Sequence, residues 1–212
     1  MGAESSTYGK KIQEFYKFVR TADSPIGELR LYTDKASPLN SVYCKIIKEE
    51  DSKILVDIEN TKKFLNSAHN VIRVLAHEQV DSLMPMCGAE LTKVYIDTFD
   101  IDLHEAILKK RRANGHFSEA EIWNTFIDII KALGSYNGAN RGHGYICPRT
   151  IVLRGKKSLL LDGHFFSLTH YILAQMTGKT HYAAPELYNQ YFCGDFDLVN
   201  VDIFKCDIFS FG

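Results

Sequence analysis

The sequence predicts an α+β fold in two segregated lobes, a small strand-rich one followed by a helical one. Three observations carry this. Strand-like segments dominate the first half, a capped amphipathic helix dominates the middle, and short strands return only after Asn140. No internal repeat, low-complexity tract or Pro/Gly/Ser-rich linker divides the chain. The expected division is a flexible start over 1–14, a strand-rich lobe over 15–99 and a helical lobe over 100–212.

Taken in order, Glu28–Tyr32 alternates in polarity, and Ser41–Ile47 is rich in strand formers. A helix is expected over about 54–66, from the apolar positions Ile54, Leu55, Ile58 and Leu65. Short strands are expected around Val80–Met86 and Leu91–Ile96. Leu103, Ala106, Ile107 and Leu108 open the helical half. Ser118, with Glu121 three residues on, reads as a capping box. The helix it opens carries Ile122, Trp123, Phe126, Ile129, Ile130 and Leu133 at helical spacing, a stripe expected to be core. Thr150–Leu153 and Ser158–Leu161 read as two strands of a hairpin turned at Arg154–Lys157.

Composition bounds the function. The formal net charge is −1, which lends no support to a nucleic-acid binder. The five cysteines show no Cys-x-x-Cys pair and no zinc spacing with histidine, so free thiols in a reducing compartment are expected. No signal-like start is present, and no apolar run approaches the roughly 18 residues of a membrane span. An intracellular, cytoplasmic protein is expected. Met1–Ser6 fits the short pattern for N-myristoylation of Gly2, which would give only weak membrane contact.

The most specific segment is His143–Gly212. His143-Gly144-Tyr145-Ile146-Cys147-Pro148-Arg149-Thr150 is followed by a short strand, then Leu161-Asp162-Gly163-His164, then Ala184-Pro185-Glu186 with Gly178 and Tyr182 before it, then Lys205–Gly212. In that order and spacing these resemble the catalytic loop, the D-F-G and A-P-E motifs and the start of the central helix of eukaryotic protein kinases. Upstream, Val42-Tyr43-Cys44-Lys45 is similar to V-A-I-K, and His69-Asn70-Val71-Ile72 to the turn that follows helix C. Asp102–Glu105 with Phe117–Trp123 is similar to NIMA-related kinases. The resemblance covers about residues 15–212 and implies a two-lobed kinase-like fold with an incomplete C-lobe, ending at Gly212 where the central helix begins.

The resemblance also implies roles. Lys45 would meet the ATP phosphates, Glu59 would be its ion-pair partner, Gly27 would be the third glycine of the phosphate loop, and Asp162 would hold magnesium. The catalytic-loop positions are lost. Tyr145 stands for the catalytic aspartate, Cys147 for the loop lysine and Thr150 for the metal-binding asparagine. A phenol with an ordinary pKa near 10 is neutral at pH 7 and does not replace a carboxylate. Ala22 and Ser24 fill the first two glycine positions, and Pro25 removes an N–H donor. Gly163 replaces the phenylalanine of D-F-G, Lys63 interrupts the apolar stack of helix C, and Lys179 replaces the threonine that bonds the catalytic aspartate. The resemblance therefore implies a pseudokinase with weak ATP and Mg²⁺ binding at most, acting as a regulatory or protein-binding module with an unspecified protein partner. Two alternatives stay open: a Ser/Thr kinase with a non-standard catalytic loop, and a non-functional kinase fragment.

Overall fold

The structure, a computed structural model, describes residues 14–37, 39–48, 64, 66–80, 91–165, 182–193 and 201–212. The chain is α+β and separates into two compact units, one of residues 1–67 and 72–98, the other of 68–71 and 99–212.

The first unit is a five-stranded antiparallel sheet. Its strands are β1 (Tyr16–Ala22), β2 (Leu29–Asp34), β3 (Ser41–Lys48), β4 (Val74–Val80) and β5 (Leu91–Asp97), in the order β1-β2-β3-β5-β4. The period of two sorts β3 onto two faces. Val42 and Cys44 join Ala76 and Tyr95 in one buried cluster, with Tyr16, Tyr32 and Leu75 against it. The opposite face carries Tyr43, Lys45 and Ile47, with Lys45 in register with Leu29 and Val94. Both faces of β3 and β5 are buried at their centres, so Leu29, Val94 and Ile96 are inaccessible as well. Two charged groups at the sheet are paired. The Arg73 guanidinium reaches both oxygens of Asp97, at 2.7 and 3.2 Å. Glu78 accepts from Lys93 at 3.1 Å and from the Tyr95 hydroxyl at 2.8 Å.

Two sequence expectations fall largely outside the described residues. The strand expected at Val80–Met86 overlaps β4 only at Val80, and 81–86 lie outside the described residues; residues 74–79, which pair with β5, were not expected as a strand. The helix expected over 54–66 falls almost wholly outside the described residues, as do Glu59 and Lys63.

The second unit holds four helices among its described residues: α1 (Leu103–Arg112), α2 (Glu119–Gly138), α3 (Pro185–Cys193) and α4 (Ile203–Phe211). It also holds a small antiparallel sheet of β6 (Ile101–Asp102), β7 (Ile151–Arg154) and β8 (Lys157–Leu160). The capping box forms as expected. Ser118 Oγ accepts from the Glu121 N–H, and Glu121 accepts from the Ser118 N–H at 2.7 Å. The β7–β8 hairpin also forms, with a two-residue turn that Gly155 enters at φ +59°. Asn70, at φ +55°, ties the 68–71 segment to α2 by donating to the carboxylate and carbonyl of Asp128. The stripe on α2 departs from expectation. Ile129, Ala132 and Tyr136 are buried, while Ile122, Trp123, Phe126 and Ile130 are 57, 54, 38 and 48 % exposed. Helical spacing says which side chains share a face; it does not say what covers that face. Among the described residues no helix is long and apolar enough to cross a membrane.

Candidate functional site

The segment 143–150 is held from below by α4. Asp207, buried in the middle of a largely apolar helix, accepts from the N–H groups of His143 and Gly144, each at 2.7 Å. Gly144 sits at φ +80°, and a Cβ on Gly142 would run into the side chain of Ile203, so these glycines let the backbone lie on α4. Burial raises the Asp207 pKa above the ordinary carboxylate value, opposed by the nearby His143 and the two N–H donors. The His143 ring in turn sets its Nε2 at 2.6 Å from the Leu161 carbonyl and stacks edge-on to Tyr136 and Tyr145.

The three loop positions expected to lack catalytic chemistry are turned into packing. Tyr145 and Cys147 pack on the cluster of Ala183, Ala184, Leu187 and Cys206, and burial raises the pKa of both side chains. A phenol and a thiol so placed stay protonated at neutral pH. Thr150 is 1 % exposed, and its hydroxyl closes the loop on itself. It donates to the Cys147 carbonyl at 2.9 Å and accepts from the Cys147 N–H at 3.0 Å.

Asp162 is also buried, and the hydroxyl of Tyr136 donates to its carboxylate. Burial and the Asp162 charge push the Tyr136 phenol well above its ordinary pKa. Gly163 has a local reason. A Cβ there would collide with the His143 carbonyl oxygen and approach Tyr145. Gly163 thus lets the 143–145 backbone pass. The described residues contain no cluster of three or more His, Cys, Asp or Glu side chains able to hold a metal ion.

In the first unit Lys45 and Gly27 do come together. Gly27 turns at φ +87°, and a Cβ on it would stand 3.0 Å from the Lys45 ammonium nitrogen. The turn itself is closed by Ser24. The Gly27 N–H donates to the Ser24 carbonyl at 2.9 Å, the Ile26 N–H to the Ser24 hydroxyl at 3.3 Å, and that hydroxyl to the Gly27 carbonyl at 2.6 Å. The Ile26 and Gly27 amides are therefore engaged within the turn, and Pro25 offers none.

The remaining expected positions, Glu59, Lys63, Gly178 and Lys179, lie outside the described residues. Two functional residues were not singled out from sequence. Tyr136 carries a signal in its place on the buried face of α2, seven residues after Ile129. Asp207 carries one as an acid inside the largely apolar segment Ile203–Phe211. Three described cysteines, Cys44, Cys147 and Cys206, are free thiols. Compared with protein-family models and with curated protein sequences, the chain matches none.

Proposed function

We propose that this chain is a catalytically inactive, protein-kinase-like domain that works by binding a protein partner inside the cell. The observation that carries the reading is the loop at Tyr145, Cys147 and Thr150. Where phosphoryl transfer needs a carboxylate, a cation and a metal-binding amide, the chain has a partly buried phenol, a partly buried thiol and a hydroxyl bonded to its own loop. The scaffold around that loop is kept, with Asp207 anchoring His143 and Gly144, and His143 against Leu161. A retained frame with spent chemistry supports a structural or recognition role. The exposed apolar residues of α2, and Ile208 and Phe209 of α4 at 69 and 54 % exposure, support a protein contact.

ATP binding is weak at most in this reading. Lys45 and Asp162 are retained, but the β1–β2 turn keeps its amides for itself, and Asp162 is engaged by Tyr136. Losing positioned acid–base help alone costs about 10²–10⁴ in rate. Transfer of phosphate from ATP to a generic protein substrate is the test, with Lys45→Ala as the background. Equal, negligible signal in both is expected. Magnesium-dependent phosphorylation that Lys45→Ala abolishes would establish an active kinase with a non-standard loop instead.

A further inference from the structure

The second unit contains a hollow of about 520 Å³ to which the proposed function assigns no ligand. It opens between α1 and α2 and is floored by Ile129, Ile146 and Ile151, with Phe117, Phe126 and Phe211 on its walls. That size and an apolar lining with few polar groups match a small-molecule site. Its charged groups are cationic, beside the neutral hydroxyls of Thr125, Tyr182 and Ser210. Lys110 and Arg111 from the last turn of α1, with His116 just after it, stand on the lining. Lys110 is committed, ion-paired to Glu121 at 2.8 Å and lying over the Phe117 ring. Arg111 is exposed and has no ion-pair partner among the described residues.

None of the acids of α2 forms an ion pair with Arg111. Glu121 holds Lys110, Glu119 accepts from the Trp123 indole, and Asp128 holds Asn70 and the Ser158 N–H. The hollow is thus an apolar cavity with a surplus cation at its edge. A guanidinium recognises a carboxylate through two parallel N–H donors. We propose that this hollow binds one long-chain carboxylate, with the alkyl tail among Ile129, Ile146 and Phe126 and the head group on Arg111. The inference uses Ile146 of the 143–150 loop only as apolar floor and no chemistry of that loop, so it does not depend on the kinase-like reading.

Trp123, the one tryptophan of the chain, packs edge-on to Phe126 at 5.6 Å between ring centroids and reports on the wall of the hollow. Titration of the full chain with dodecanoate, tetradecanoate and hexadecanoate, below their micelle concentrations, should give a saturable change in Trp123 fluorescence. Calorimetry should give one ligand per chain. Each pair of methylenes removed should weaken binding roughly tenfold. Arg111→Ala, at an exposed position, should weaken it about tenfold or more. Ile107→Trp, which fills the hollow from α1, should abolish it.

The neutral alkyl alcohols and the alkyltrimethylammonium ions are the decisive comparison. Alcohols should bind more weakly than the acids of equal length, and the cations should not bind. Equal affinity for acid and alcohol, unchanged affinity in Arg111→Ala, or uptake of many molecules per chain would overturn the proposal. So would a Trp123 response confined to acidic helical peptides, which would make the face a protein-docking surface.

Discussion

Replacing Asp207 with alanine removes the anchor between α4 and the 143–150 loop. The carboxylate is 4 % exposed and accepts two backbone N–H groups at 2.7 Å, from His143 and Gly144, both buried. Each buried donor left without a partner costs about 1–3 kcal/mol, which puts the gross loss at roughly 2–6 kcal/mol. Burial already disfavours the ionised acid, as its raised pKa records, and that offsets part of the loss. The expected net destabilisation is therefore about 2–4 kcal/mol, a large share of the roughly 5–15 kcal/mol that holds a domain. Asp207→Asn keeps one acceptor oxygen and turns an NH₂ toward the second donor, so it should fall between wild type and alanine. Urea unfolding followed by far-ultraviolet circular dichroism measures the stability, and hydrogen exchange at the His143 and Gly144 amides locates it. Protection at those two amides should collapse in Asp207→Ala before the sheet of the first unit is affected. A loss below about 0.5 kcal/mol with both amides still protected would refute the anchor.

Other perturbations follow from the same geometry. Ser118→Ala removes the cap of α2 and should cost about 1 kcal/mol in chemical denaturation. Lys110 and then the Ser118 N–H and hydroxyl lower the exposed Glu121 carboxyl to about 2, from an ordinary 4.5. Its contribution is therefore complete above pH 4.5 and fades as pH falls toward 2, and Glu121→Gln should flatten that part of the stability–pH curve. Gly163→Ala should destabilise more than Gly134→Ala, because the first Cβ meets the His143 carbonyl and the second meets nothing within 4 Å; thermal unfolding of the pair decides it. Gly27→Ala places a side chain at φ +87° against Lys45 and should cost about 1–2 kcal/mol. The Cys44 thiol, pushed up to about 12 by burial, should resist a thiol reagent at pH 8 until the protein is unfolded, and prompt native-state labelling would contradict its placement.

Much of the local structure was legible in the chain because it depends on neighbours in sequence. The Ser118–Glu121 box, the Gly155 turn and the alternation in β2 and β3 are each fixed within a few residues by capping, by a positive φ or by the pleat. The position of β4 was not legible, because a strand is chosen by the partner it pairs with, and β5 selected 74–80. The loop residues Tyr145, Cys147 and Thr150 could be named from their spacing, and their lack of charge followed from residue type alone. Their surroundings could not be named.

Only the tertiary structure decided that Tyr136 meets Asp162 and that Asp207 holds His143 and Gly144 across more than sixty residues of sequence. Those pairings join segments whose separation is set by how helices and sheet pack, and no local rule encodes that distance. The α2 stripe makes the same division plain. Its spacing in sequence marked an apolar face, while packing alone determined that Ile129 is buried and that Ile122, Trp123 and Phe126 border open space.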